Sequence, residues 1–530
     1  MSGIGADARG GVSWLWVSGW ALLFGLAYGQ SPVFTSNSNT KWLQGLGHAG
    51  WGDLAHDPML STSDPFPLFS GLAWVVGLVG HPYWFHGLYV LLMGVYFVSV
   101  WWLGMRMLPA DWAAAVRSAV GRWWLPAVLV ATHARAVRVL LWRFDVELYQ
   151  FPPPLAWQSL MNSDFAPASF GVLIVAGVAL CVARRWWWGA ALIGLASAVH
   201  ATYFVSCLVL ATTIAAWVWG ASPAGRVRWV RSAGVMGWFA LTAVPQMVFL
   251  AVAFGGDPLQ EEANAIMIFD RIPHHSLPSY FIWQWQTAFV AASIVLGAWL
   301  SRGLLRTVVI VGGLFVGGGV AWCSIFEPGL VNLVAPWRAS AWLVPVALAP
   351  AWAWGAAGIQ RGLAGMGVSV KRLGRGAALG GGCLAAVLGV ALLMDDYVDR
   401  EKLANAAVIA YAAEHSPDGS MYLVPPEFHD FRMRTKRAIY VSHKTHPIKG
   451  AEVLAWYERL SAARDFYDRG ARLGDLNRFA GQGVTHAVIP LTVEVQGRAG
   501  ASPATVYRDA DYAVVDLSKL DGRVDAGSGV

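Results

Sequence analysis

Apolar runs close to the ~20 residues needed to cross a bilayer recur from residue 13 to residue 394 of this 530-residue chain. No other feature narrows the fold as much. We read spans near 13–30, 84–105, 123–141, 168–183, 186–202, 203–219, 235–255, 281–301, 306–326, 338–358 and 377–394, about eleven in all. Composition agrees: 56% of residues are hydrophobic and 13% charged, against about 25% charged in an ordinary soluble domain. Too few polar groups remain to cover the apolar surface, so lipid must supply much of the solvent. The first run ends in AYGQ, which mimics a signal-peptide cleavage site. Its tryptophans, its length and the multispanning body that follows favour an uncleaved helix.

Arginine and lysine set the orientation. One set of loops carries Arg106, Arg117, Arg122, Arg184, Arg185, Arg226, Arg228, Arg231, Arg302, Arg306, Arg361, Lys371, Arg372 and Arg375. The alternate set carries only Lys41, Arg143, Arg271 and Arg338. The first set is therefore assigned to the cytoplasm, with the N-terminus. An odd number of spans then leaves the region after about 395 outside. The net charge of +6 is mostly this topological bias, so it is no argument for a nucleic-acid partner. The four cysteines all lie in apolar runs and imply no disulfide framework.

The loops assigned to the outside hold the acids and histidines: Asp53, Asp57 and Asp64; Asp145, Glu147 and Asp164; Glu261, Glu262, Asp270, His274 and His275. Ionisable groups gathered at one membrane face point to function there. The expected organisation is a helical membrane domain over 1–394, whose first outer loop, 31–83, carries interfacial helices. A small α/β domain over 395–520 and a disordered tail over 521–530 follow. Within the first loop, 66–80 is apolar but too short to cross comfortably, so it reads as an interfacial or re-entrant helix. In the C-terminal region, MYLVP (421–425), AIYVS (438–442), HAVIPL (486–491) and YAVVDL (512–517) read as strands, and 450–468 as a helix.

Several clusters bear chemistry. DLAHDPMLSTSDP places Asp57 and Asp64 each before a proline. Asp followed by Pro is a good helix start, so both pairs read as caps. They also read as carboxylates at the membrane surface, able to take a proton from a hydroxyl nucleophile. FDRIPHHSLPSY offers Arg271, whose planar fork suits a phosphate, with Asp270, His274 and His275 beside it. Adjacent histidines are a poor zinc signature without other ligands, and no metal is expected. Arg338 in APWRAS reads equally as a snorkelling anchor and as a second cation for an anionic head group. His133, Arg135 and Arg138 lie in or near a span, where Asp145 and Glu147 are the expected partners. Asn39, Lys41 and His56 of the first loop, Asp164, and the His200–Tyr203 pair in SAVHATY are further candidates for one outer cavity. A lone histidine such as His200 more often simply packs. In the C-terminal region, Lys444 and His446 stand out from a basic run otherwise interleaved with acids and read as a solvated face.

Taken together, SNSNTKWLQGLGHAGWGDLAHDPMLSTSDPFPLF, FAPASFGVL, VHATY, RIPHH, APWR and PPEFHDFRMRTKRAIYVSHKTHPIKGAEVLAWYERL make the chain resemble the C-type (GT-C) glycosyltransferase superfamily and, within it, a bacterial subgroup of such membrane proteins. The resemblance covers most of the chain. It implies a polyprenyl-phosphate-linked sugar donor, an unassigned glycan, lipid or protein acceptor, and inverting transfer at the periplasmic face of the bacterial inner membrane, with no cofactor. On that reading Asp57 or Asp64 is the base, with Asp57 favoured as the freer acid. Arg271, His274, His275 and Arg338 hold the donor phosphate, in a cavity shared with the early acidic turn. A flippase for a lipid-linked glycan and a non-catalytic scaffold of an envelope polysaccharide complex are the alternatives. Paired halves with broken helices, the usual transporter sign, are not visible in the sequence.

Overall fold

The computed structural model describes residues 13–110, 112–143, 150–326, 328–491 and 502–520. The chain divides into two compact units: Met1–Ser31, Phe85–Val252 and Asn264–Met394 form one, and Pro32–Trp84, Ala253–Ala263 and Asp395–Val530 the other. The sequence reading grouped 31–83 with the membrane-embedded part; in the structure Pro32–Trp84 belongs with the C-terminal region.

The first unit is helical. Six helices in the described residues are long and apolar enough to cross a membrane: Trp84–Met107, Ala201–Ala221, Arg226–Phe254, Gly303–Ile325, Leu330–Ala364 and Arg372–Arg400. A seventh span arises if Ala115–His133 and Arg135–Trp142, bent by 46°, count as one. Trp14–Tyr28, Pro167–Val182, Trp186–Val199 and Trp285–Leu300 are apolar but shorter. The sequence expectation of about eleven spans is therefore reduced to six or seven by length. The expected segments are helical, but tight breaks such as the turn at Arg184 and Arg185 cut several below spanning length.

Small residues let these helices approach closely, as helices in lipid require. A Cβ on Gly177 would sit 2.7 Å from Gly189 O, and one on Gly189 would sit 2.6 Å from Gly177 O and 3.2 Å from Cys181 N. Among the candidate spans the one ending in Ser340–Ala364 is the most enclosed, and that helix has 15 buried residues. At the 46° bend, His133 is fully buried, with Nδ1 2.8 Å from Leu129 O and Nε2 3.1 Å from Tyr96 Oη. Arg135 donates to Gln30 O at 2.8 Å and Arg138 to Tyr28 O at 2.5 Å. Asp145 and Glu147, the partners expected from sequence, lie outside the described residues.

The second unit is built on a five-stranded mixed sheet of order β2-β1-β3-β5-β4. The strands are β1 (Met421–Leu423), β2 (Ala438–Ile439), β3 (His486–Pro490), β4 (Thr505–Arg508) and β5 (Tyr512–Asp516). β1 runs parallel to β2 and β3; β5 runs antiparallel to β3 and β4. Four of the five strands and the helix Gly450–Asp468 fall where alternation and periodicity place them. β4 is the exception: its burial is only partial, and a bulge between Thr505 and Tyr507 breaks its register. Val408, Ile409 and Ala412 of the helix Ala406–His415 share one buried cluster with Tyr422, Ile439, Val488 and Val514 of the sheet and with Val424 just after β1. The tail 521–530, expected to be disordered, lies outside the described residues.

The first loop is stitched to this sheet. Asp53 N donates to Lys436 O at 2.9 Å, and Asp53 bridges Arg437 beside the edge strand β2. The apolar segment after Asp64 forms the helix Pro67–Val79, which leaves Leu68, Trp74, Val75, Leu78 and Val79 exposed. Thirteen residues rise only about 20 Å, short of a ~30 Å hydrocarbon core.

Candidate active site

Each unit gathers its own set of candidate groups. In the second unit, the two Asp-Pro pairs part company. Neither caps a helix: Pro67–Val79 has Phe66 at its N-cap. Each aspartate instead closes a local turn, Asp57 Oδ1 accepting from Met59 N at 2.9 Å and Asp64 Oδ1 from Phe66 N at 2.8 Å.

Asp57 is then sealed off. Its Oδ2 lies 2.6 Å from Arg432 Nε and accepts from Ile439 N at 3.1 Å. Its side chain has no exposed surface, and that of Arg432 has 2%. Burial lowers the Arg432 pKa, and the Asp57 carboxylate opposes that shift. A carboxylate committed to a guanidinium and two backbone donors is poorly placed to accept a substrate proton. The preference for Asp57 over Asp64 that sequence position suggested is thus reversed: the residue further from the interfacial helix is the less accessible one.

Asp64 is only half-buried and lines a small cleft. The lining comes from Thr40, Lys41, Gln44, Thr62 and Ser63 of the first loop and from Lys444, Thr445 and His446. The cavity is ≈ 40 Å³, room for a water or one small polar group. Among the described residues Asp64 Oδ2 accepts no hydrogen bond, so one oxygen is fixed and the other available. Lys41 sits 4.4 Å over the Phe66 ring. Lys444 Nζ donates to Ser36 Oγ at 2.8 Å, and His446 Nδ1 lies 3.0 Å from Pro447 O. Residues that the sequence offered in separate clusters, Lys41, Asp64, Lys444 and His446, therefore meet. Asn39 and His56 do not join them: Asn39 is buried with neither amide atom partnered among the described residues, and His56 is exposed.

Ser63 explains how the loop is held. Its backbone N–H donates to Glu452 Oε1 at 3.0 Å, and its hydroxyl donates to the same oxygen at 2.8 Å. Glu452 sits in the first turn of Gly450–Asp468. At that helix start Asp257 accepts from Ala451 N at 3.0 Å and Gln260 Oε1 from Gly450 N at 3.0 Å. The Ala451 and Leu259 amides hold the Asp257 pKa below its ordinary value. These clamps escaped the sequence reading, because Ser63, Glu452, Asp257 and Gln260 belong to no local motif.

In the first unit, Arg338 emerges from the 3-10 turn Pro336–Ala339. One Nη1 donates to Thr202 Oγ1 and lies 3.5 Å from His200 Nε2. Its Nε is buried without a hydrogen-bond partner among the described residues. An unsatisfied charged donor is expensive to bury, and it suits an anion. His200 packs 5.2 Å from Tyr203, ring to ring, and Tyr203 Oη donates to Ala168 O at 3.0 Å. His200, Tyr203 and Arg338 thus cluster. Asp164 is buried.

His275 is fixed by its surroundings. Nδ1 lies 2.6 Å from Ala156 O, and Trp337 Nε1 donates to His275 O at 3.0 Å. Burial, with the neighbouring His274 next, holds its pKa down to about 3. The ring is therefore neutral, with its proton on Nδ1 facing a carbonyl, and Nε2 is an acceptor. It cannot give a proton to a leaving phosphate, the role the sequence reading allowed histidines here. Its neighbour His274 lies 4.0 Å away between ring centroids and 6.2 Å from the Trp157 ring. The charges of Arg338 and Arg271 add smaller contributions that also lower the His275 pKa. Asp270 and Arg271 end the same short π-helical turn, Met267–Arg271. Among the described residues no group of three or more His, Cys, Asp or Glu could hold a metal ion.

A family model described as a domain of unknown function (DUF6798) matches residues 404–463. No match is found among curated proteins. Among solved structures, the chain is similar to ArnT from Cupriavidus metallidurans bound to undecaprenyl phosphate, at 13% identity and a TM-score of 0.49, over 95% of this chain and 97% of that one. It is also similar to ArnT from the same organism in the apo state, at 16% identity and a TM-score of 0.46, over 95% of this chain and 98% of that one.

Proposed function

We propose that this chain is a membrane glycosyltransferase. It moves a sugar from a polyprenyl-phosphate donor to an acceptor hydroxyl at the extracytoplasmic face of the bacterial inner membrane, with inversion. The N-terminus then lies in the cytoplasm and the sheet-bearing C-terminal region outside. The observation that carries the reading is the half-open carboxylate of Asp64, set between Lys41, Lys444 and His446. The resemblance read from the sequence motifs supplies the donor class.

In the reaction, Asp64 Oδ2 takes the proton of the acceptor hydroxyl. The hydroxyl oxygen forms a bond to the anomeric carbon as the carbon–oxygen bond to phosphate breaks, and that electron pair leaves on the phosphate. For the phosphate, the first unit offers Arg338, whose Nε has no hydrogen-bond partner among the described residues, and Arg271, groups suited to stabilise a departing charge. His275, with its ring fixed, and its neighbour His274 flank the phosphate. Asp57 holds the first loop in place and does not touch substrate. No metal or cofactor enters the scheme.

The test uses the purified full-length protein with a set of polyprenyl-phosphate sugars. Release or transfer of sugar that disappears in Asp64→Asn supports the proposal. Movement of the lipid across vesicles without bond cleavage would replace it with a flippase. Neither cleavage nor movement with any donor would leave a scaffold.

A further inference from the structure

The second unit holds a larger cavity, of ≈ 380 Å³, that the transfer scheme does not use. It is formed by Pro417–Ser420 before β1, Ala480 and Val484 before β3, Thr485 and His486, and Asp516–Ser518 at the end of β5. Its size falls within the few hundred Å³ usual for small-molecule sites.

The walls differ in chemistry. Pro417, Ala480, Val484 and Leu517 give an apolar surface, while Asp418, Ser420, Thr485, His486, Asp516 and Ser518 give a polar one. His486 is only 9% exposed. Its ring stacks on Tyr422 at 4.9 Å and 18°, and Nδ1 lies 2.8 Å from Thr485 Oγ1. That hydroxyl is 3.1 Å from Met421 O and donates to it, so Nδ1 carries the histidine proton. Nε2 is then an acceptor with no protein partner among the described residues. An acceptor left open on a cavity wall can take a hydrogen bond from a ligand or water. Asp516 is held rigid: its Oδ1 accepts from Ser518 N at 3.0 Å and from Ser518 Oγ at 2.6 Å.

Among the described residues no lysine or arginine lines the cavity, and its two carboxylates are paired, Asp516 with Lys519 at 3.2 Å and Asp418 with Arg437 at 3.1 Å, so the wall is charge-balanced and favours a neutral ligand. The fixed acceptors call for a ligand rich in hydroxyl donors. The apolar wall calls for one that also has a C–H face. A pyranose ring has both. We propose that this cavity binds one sugar residue of a glycan, at a site separate from the Asp64 cleft and standing whether or not the transfer reaction is as proposed.

The experiment is saturation-transfer NMR on the full-length protein in detergent, with the methyl glycosides of glucose, galactose, mannose and N-acetylglucosamine as probes. At least one should receive transfer. The signal should vanish in His486→Phe, which keeps a ring on Tyr422 but removes Nε2, and in Ala480→Trp, which fills the cavity from its exposed rim. It should persist in Asp64→Asn. Unchanged unfolding midpoints show that the variants fold. No transfer from any of the four probes overturns the proposal, as does a signal that survives both cavity variants. A signal lost only in Asp64→Asn also overturns it, by moving sugar binding to the other cleft.

Discussion

Arg432 Nε lies 2.6 Å from Asp57 Oδ2, and neither side chain exposes more than 2% of its surface. This pair ties the first loop to the C-terminal sheet region within one unit. Breaking a buried pair from one side leaves an uncompensated charge, which costs about 3–5 kcal/mol. Arg432→Met alone should therefore lower the unfolding midpoint markedly and open Pro32–Trp84 to limited proteolysis. The double variant Asp57→Leu/Arg432→Met should recover part of that loss. Thermal scanning fluorimetry on all three proteins reads the difference.

Asp64→Asn should leave the unfolding midpoint near that of the wild type and reduce sugar transfer by roughly 10²–10⁴, the usual worth of a general base. Asp57→Asn should do the reverse, losing stability first. Steady-state turnover measured beside the midpoint separates the two acids.

Arg338→Lys keeps the charge but loses the planar fork that reaches Thr202 and presents Nε. A lysine is not equivalent at such a site. Removing one preorganised donor to a developing anion lowers kcat by about 10²–10³, and the expected drop lies in that range with little change in KM. A loss confined to KM would assign Arg338 to ground-state binding.

His275 gives a pH dependence whose sign follows from its partners. Its folded pKa is about 3, below the ordinary value of 6.5, so the unfolded state binds the proton first. Stability is then fully present above pH ~6.5 and falls as the pH drops from there toward 3. His275→Gln should flatten that part of the curve. Unfolding midpoints recorded in steps from pH 7.5 to pH 4 check it; equal slopes in both proteins would remove the assignment.

A methyl group on Gly45 would overlap Ser70 O and Ala73 across the contact between Leu43–His48 and Pro67–Val79. Overpacking of this kind costs about 1–3 kcal/mol. Gly45→Ala should lower the midpoint accordingly, while Gly71→Ala on the open side of the same helix should not.

Sequence and structure divide this protein along physical lines. Helical membrane segments, four of the five strands and the helix Gly450–Asp468 were legible because each rests on local hydropathy or periodicity, which a linear chain displays. The chemical character of the loops was legible too: acids, Arg271, Arg338 and the histidines stood out as costly residues near lipid. What tertiary structure alone decided is accessibility and partnership. Asp57 and Asp64 look alike in sequence, each before a proline, yet only a distant Arg432 makes one of them an anchor. The neutral tautomer of His275 depends on Ala156 O, and the Lys41–Asp64–Lys444–His446 cleft on chain folding back from residue 444. Burial and ion pairing act through space, and no spacing along the chain encodes them.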